Sequence, residues 1–299
     1  MWDSVRDLQA LSLLLAFALD FTVGKPRWMP DLARSLRAFA GVWERRLSVS
    51  PALTWLVALL GCVLVLLLLT EFLLKQSQLL VLLIETFVLY QALSAADFSR
   101  RLKGIHTHLR KNRIDDARQG ALRMGLSQEP ATTKEELASQ LLAETGESVA
   151  PRLVAPLFWS VLLGPVGALV YNMNQAFVVG FPTNTGEKQV IPWPDRIHHL
   201  LLWVPARTIP LLSEVFRNFQ SLKTIFREGQ QIRGNDGFGA AALARELEVQ
   251  LILHRPHLPS MGHPLGEGDA PQASDLSEAL NWHFKLTAFA LILALFAFF

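Results

Sequence analysis

Cysteine is almost absent. Cys62, inside an apolar run, is the single example, so neither a disulfide framework nor a thiolate metal site is available within one chain. Charge is scarce as well: 18% of the 299 residues are Asp, Glu, Lys or Arg, against about 25% in an average soluble domain. Neither sign dominates, because 28 Lys and Arg face 26 Asp and Glu for a net charge of +2, a balance that excludes a basic nucleic-acid-binding surface. The chain lacks a phosphate-cradling Gly-x-x-x-x-Gly-Lys loop, a Gly-x-Ser-x-Gly elbow and a His-Glu-x-x-His zinc motif, and no internal repeat is visible. With mean hydropathy at +0.28, disorder, collagen and coiled coil are excluded, and the composition is that of a membrane protein.

What the chain does have is long apolar runs. Pro51 to Thr70 is uncharged and continues to Leu74 past Glu71, enough to span about 30 Å of hydrocarbon as a helix. Leu79 to Ala95 follows after a turn at Lys75-Gln76-Ser77, so the two read as a hairpin. Leu153 to Phe181 is uncharged but carries Pro156, Gly164-Pro165 and Gly167, which predicts a kinked or broken span. Trp282 to Phe299 and Leu8 to Val23 are further candidates, and Ile197 to Phe216, interrupted by Pro205, Arg207 and Pro210, reads as a re-entrant or weakly hydrophobic span. Ala16-Phe17-Ala18 resembles a signal-peptide cleavage site, but Asp3 and Asp7 spoil the basic region such a peptide needs. The fold class expected is all-α and polytopic, with about five to six transmembrane helices and small helical loops.

Six crossings place the loops 24–50, 96–152 and 217–281 on one side, and these hold six, ten and six Lys or Arg. The opposite side has Lys75, Lys188 and Arg196. Basic loops stay in the cytoplasm, which predicts an inner-membrane protein with its main loops cytoplasmic. Trp28, Trp43, Trp193 and Trp282 lie near predicted span ends, as an aromatic belt would. The organisation expected is membrane helices in 1–103 (about 8–23, 51–74 and 79–95) and a helical segment in 104–152. Central membrane helices follow in 153–216, then a cytoplasmic segment and linker in 217–281, and a last membrane helix in 282–299.

Within 104–150 the pattern predicts helices from Ile114 to Met124 and from Thr133 to Glu144, joined by a turn at Gly125 to Pro130; Thr133 with Glu136 has capping-box spacing. Asn235-Asp236-Gly237 signals a turn before a helical Ala240 to Leu251. Residues 258–275, rich in Pro, Gly and Ser, read as a flexible linker. His254, His257 and His263 with Glu267 sit among prolines without helical register, so a solvated loop explains them better than a metal site; His198-His199 is similarly weak. Asp20, Glu85 and Arg207 fall inside apolar runs, where a charge costs several kcal/mol and is expected to face a polar cavity or a partner. The alternative for Asp20 and Arg207 is snorkelling from a span end.

The segment Leu153-Val-Ala-Pro-Leu-Phe-Trp-Ser-Val-Leu-Leu-Gly-Pro-Val-Gly-Ala-Leu-Val-Tyr171, followed by Leu201-Leu-Trp-Val-Pro-Ala-Arg207, resembles the membrane superfamily of CobD/CbiB and AmpE. Asp20, Gly24, Pro26 and Trp28-Met29 resemble its N-terminal pattern, and Asn235-Asp-Gly-Phe-Gly-Ala-Ala resembles its Asn-Ala-Gly-Trp-Pro-Glu-Ala-Ala segment. For the CobD/CbiB branch the resemblance implies adenosylcobinamide-phosphate synthesis: ATP-dependent amide formation between cobyric acid and an aminopropanol unit, with carboxylates holding Mg²⁺ beside the phosphates.

The chain departs from that pattern at its acids. The family's Glu-Asn-x-x-Asp-Gly falls on Glu147, Ser148, Pro151 and Arg152; Asn174 is kept but no acid follows until Glu187. The paired aspartates fall on His198 and His199 beside a retained Arg196, and Gly-Asp-Pro reads Gly24-Lys25-Pro26. These lost carboxylates, with likeness to AmpE in Trp203-Val-Pro-Ala-Arg207 and Ser213-Glu-Val-Phe-Arg-Asn-Phe219, lead to the expectation of a non-catalytic, AmpE-like regulatory or sensory protein linked to β-lactamase induction. The synthase itself, and an accessory subunit of a membrane complex, are the alternatives. The ligand-binding residues expected are Asp20, Glu147, Tyr171, Asn174, Arg196, Arg207 and Asn235, with Arg207 paired to Asp20, to Glu147 or to a bound anion. No residue is assigned a catalytic or metal-ligating role and no cofactor is identified. The partners expected are the lipid bilayer, an anionic small molecule and a membrane protein, with no nucleic acid.

Overall fold

The computed structural model describes residues 2–26, 35, 38, 42, 50–124, 130–178, 181–182, 188–189, 192–217, 219–232, 235, 237–253 and 264–298. Trp28, Met29, Trp43, Asp236, His254, His257, His263 and the turn 125–129 lie outside the described residues. The elements are almost all helical: α1 (Trp2–Thr22), α2 (Pro51–Leu74), α3 (Gln78–Ala92), α4 (Ala95–Arg110), α5 (Ile114–Met124) and α6 (Lys134–Val149). A π-turn (Ala150–Val154) leads into α7 (Ala155–Val178), then α8 (Pro192–Glu214), α9 (Leu222–Gln231), α10 (Gly237–Leu247) and α11 (Asp275–Phe296). Two short antiparallel pairs complete the described chain: β1 (Phe181–Pro182) with β2 (Lys188–Gln189), and β3 (Leu251–Ile252) with β4 (Pro264–Leu265).

Among the described residues four helices are long and apolar enough to cross a membrane: 52–74, 78–110, 134–178 and 275–296. This is a polytopic all-α membrane protein. The reason is clearest in α2, which Ser50 starts by accepting a hydrogen bond from the Leu53 amide at 3.3 Å, with Pro51 fitting the first turn. Leu53, Leu56, Val57, Leu60, Leu64, Val65 and Leu68 are all exposed along it, an outward apolar face that only hydrocarbon accommodates cheaply.

The chain divides into two compact units. The first comprises Met1–Ser94, Ala155–Leu202 and Ile292–Phe299. In it α1 packs on α3, and α7 packs on both α2 and α3. Its interior holds Trp55 against Phe177, and Leu66 and Val88 against Leu169 and Met173. The predicted break in 153–181 is present: Gly164 has φ +64° in the middle of α7, and a β-carbon there would meet the Gln9 side chain at 2.7 Å. Pro205 does not break α8, contrary to the reading of 197–216 as an interrupted segment; the helix is continuous. Pro205 leaves the carbonyl of Leu201 without its usual helical donor, and the indole Nε1–H of Trp159 donates to that oxygen at 3.0 Å.

The second unit comprises Ala95–Val154 and Trp203–Leu291. In it α4 packs on α5, while α10 packs on α6 and α9. Helix α5 has the expected limits, and Thr133 caps α6 by accepting from the Glu136 amide at 3.4 Å. The expectation of a flexible linker over 258–275 needs correction within its described part. Leu265 is fully buried and pairs with Leu251, and the Gly266 amide donates to Glu228 Oε2 at 3.0 Å. A positive φ of +81° at Gly266 lets the chain turn there. Trp282 is also no belt residue: it is buried and donates to Ser213 Oγ at 3.2 Å, whereas Trp193 is exposed.

Candidate functional site

In the first unit a polar network draws on α1, α2, α3, α7 and the start of α8. Helix α1 ends as the amides of Val23 and Gly24 both donate to the Leu19 carbonyl, at 2.9 and 3.0 Å; Gly24, with φ +67°, reverses the chain. That reversal brings Lys25 Nζ to 2.9 Å from the Gln91 carbonyl and sets the Gly24 carbonyl to accept from the Tyr90 hydroxyl. The Gln91 carbonyl also accepts from Asn172 Nδ2 at 3.4 Å. Two residues along α7, Asn174 accepts from Trp55 Nε1 at 3.1 Å and donates to the Pro194 carbonyl at 3.2 Å. The fully buried Tyr171 ring lies 5.7 Å from the His198 ring.

Asp20, Tyr171 and Asn174 are thus buried residues of one unit, Asp20 near the end of α1 and the other two on α7. Arg196 differs. It is exposed on α8 with its guanidinium 5.5 Å from the Trp193 ring centre. His199 lies 3.8 Å from Asp195, an acid one helical turn before it. Elsewhere in the unit, buried Glu85 accepts from Ser12 Oγ at 3.2 Å. This answers the requirement that a carboxyl inside an apolar run find a partner.

In the second unit Arg207 projects from α8. Its Nη1 donates to the Trp203 carbonyl at 2.8 Å and to Asn235 Oδ1 at 3.1 Å. Its guanidinium carbon lies 4.2 Å from the Trp203 ring centre and 4.8 Å from that of Phe238. Among the described residues Asn235 and two ring faces hold Arg207. The negative faces of aromatic rings stabilise a guanidinium, and two uncharged oxygens, the Trp203 carbonyl and Asn235 Oδ1, each accept from Nη1. Glu147 sits half-buried on α6, one residue after Gly146, which abuts Gly239 and Ala240 of α10. In the π-turn, Arg152 stands 3.7 Å from Glu144 and over the Phe98 ring at 4.9 Å.

Residues that spacing did not single out as ligands include Lys25, Gln91, Asn172 and Asp195. Lys25 carried a signal, since it replaces an acid of the family pattern; the others act through contacts far apart in sequence. Among the described residues no three His, Cys, Asp or Glu side chains come together as metal ligands. The described side chains do not build a magnesium cradle of their own.

The CobD/Cbib protein family model matches residues 13–283. The chain belongs to the CobD/CbiB family. Its relatives include the cobalamin biosynthesis proteins CobD of Halalkalibacterium halodurans, 23% identical over 261 residues (81% of this chain and 80% of that protein), and of Leptospira interrogans, 22% identical over 254 residues (80% and 81%). The probable cobalamin biosynthesis protein CobD of Methanothermobacter thermautotrophicus is 29% identical over 194 residues, and the match spans 61% of each chain. No solved structure matches. These relatives overturn the expectation of a non-catalytic AmpE-like regulator, because the CobD/CbiB proteins that match across about four-fifths of both lengths are named for cobalamin biosynthesis. The eroded acids misled that expectation. Carboxylates at single positions weigh less than a match running through the whole frame.

Proposed function

We propose that the chain acts in cobalamin biosynthesis, in the amide-forming step implied by the family resemblance, which joins a corrinoid carboxyl group to an aminopropanol unit at the expense of ATP. The carrying observation is the extent of the family match, residues 13–283. The geometry is compatible with it. Among the described residues Arg207 donates through Nη1, and the remaining edge of its guanidinium fork suits a carboxylate or phosphate oxygen of an anionic ligand. The rings of Trp203 and Phe238 fix the plane of that fork. In the first unit, half-buried Lys25 and Asn172 are held on the Gln91 carbonyl and buried Asn174 on Trp55, fixed polar positions of the kind that recognition of a polar substrate inside a membrane protein requires. Glu147 and Asp20 are the acids retained from the family pattern; Asp20, Tyr171 and Asn174 are the candidate ligand-binding residues of the first unit, and Glu147, Arg207 and Asn235 those of the second.

In this reading the protein lies in a bacterial cytoplasmic membrane, with the basic loops 24–50, 96–152 and 217–281 on the cytoplasmic side where ATP is found. Membranes containing the chain, incubated with adenosylcobyric acid, aminopropanol phosphate and Mg-ATP, should form adenosylcobinamide phosphate. Absence of product with protein shown to be inserted and folded would overturn the proposal.

A further inference from the structure

A second polar constellation lies in the second unit, away from Arg207. The end of α8, α10 and α11 enclose a half-open cleft of about 160 Å³ lined by Leu212, Ser213, Arg217, Glu246, Trp282 and Lys285. A water molecule takes about 30 Å³ of the liquid, so the cleft has room for a group of phosphate size. Glu246 stands between two cations: Arg217 Nη1 at 3.4 Å from one oxygen and Lys285 Nζ at 3.6 Å from the other. Glu248 lies 3.9 Å from Arg217 Nη2. All three separations exceed the roughly 2.7–2.9 Å of a tight charge-assisted hydrogen bond. Cations and acids that are loosely engaged retain donors and acceptors for a ligand carrying both signs.

The setting supplies the apolar half of such a ligand. Lys285 is 61% exposed, and its neighbour Phe284 is 59% exposed. From Leu286 to Phe296 α11 has no charged residue, and Ile292 and Leu293 are exposed. The mouth of the cleft is therefore continuous with a helix face that needs hydrocarbon. Trp282, its indole N–H committed to Ser213, presents its ring as a wall.

We propose that this cleft binds a phospholipid headgroup carrying a phosphate and a primary ammonium. The phosphate takes Arg217 and Lys285, the ammonium takes Glu246, and the acyl chains run along the apolar face of α11. A quaternary ammonium has no N–H to donate to this acid, so phosphatidylethanolamine binds in preference to phosphatidylcholine.

The test is native mass spectrometry of the full chain in detergent with equal amounts of phosphatidylethanolamine, phosphatidylcholine and phosphatidylglycerol. The wild-type protein should retain phosphatidylethanolamine about tenfold over phosphatidylcholine, the scale of one or two charge-assisted hydrogen bonds. Arg217→Gln and Lys285→Gln should each lower retention of all three lipids about tenfold, Glu246→Gln should erase the preference for phosphatidylethanolamine, and Lys111→Gln on an exposed turn should change nothing. Lys285→Gln alters an exposed side chain and keeps the test open if Arg217→Gln fails to fold. Equal retention of the three lipids by the wild type, unchanged retention in both cation variants, or displacement by millimolar free phosphoethanolamine would overturn the proposal.

Discussion

Gly239 of α10 lies so close to Gly146 of α6 that a β-carbon on Gly239 would fall 2.1 Å from the Gly146 carbonyl oxygen. The contact is backbone against backbone, so no side chain can swing aside to relieve it. Its neighbours in sequence are Phe238, which covers the Arg207 guanidinium, and Glu147. Gly239→Ala must push the helices apart, at an overpacking cost of about 1–3 kcal/mol, and should lower the melting temperature in detergent and activity together. Gly61→Ala, where the added carbon meets nothing within 4 Å, is the control and should leave melting unchanged.

The Trp55–Asn174 bond makes a separate claim about the first unit. Trp55→Phe keeps the ring against Phe177 but removes the indole donor, leaving Asn174 Oδ1 buried without it. The expected loss is about 1–3 kcal/mol of stability, read from thermal melting. Trp193→Phe on the exposed start of α8 should stay within about 0.5 kcal/mol of the wild type.

Arg207 should be intolerant even of lysine. A lysine keeps the charge but neither the planar stack between Trp203 and Phe238 nor the fork of donors. Arg207→Ala and Arg207→Lys should both reduce product formation about tenfold or more, the scale of a lost charged hydrogen bond, while the exposed Arg101→Ala stays near wild type. Equal activity of Arg207→Lys and wild type would remove Arg207 from the site.

Much of the fold was legible in the sequence because apolar run length and capping spacing are local quantities. The limits of α5, the cap at Thr133 and the break at Gly164 follow from neighbours within a turn or two. The continuity of α8 was not legible, since it includes the donor Trp159 supplies to Leu201 from 42 residues away in sequence. The same holds for the site. Asp20, Tyr171 and Asn174 stood out as polar groups in apolar or family-like segments, but the bond from Arg207 to Asn235 and the convergence of Lys25 and Asn172 on the Gln91 carbonyl depend on tertiary packing. The missing acids were legible and were overweighted: sequence shows which carboxylates are gone, not how many the chemistry needs.

The proposed membrane orientation rests on the basic loops. Reporters fused within 24–50, 96–152 or 217–281 should report cytoplasm, and a reporter fused after Phe299 should report periplasm. A cytoplasmic signal after Phe299 would reduce the crossings by one, with α8 as the segment that fails to cross.

The central claim is tested most directly by genetic rescue. A bacterial strain lacking adenosylcobinamide-phosphate synthase and dependent on its own cobalamin should regain growth from cobyric acid when the chain is expressed in its membrane, and should lose that growth with Arg207→Ala. No growth above background, with the wild-type protein detected in the membrane fraction, would contradict the account.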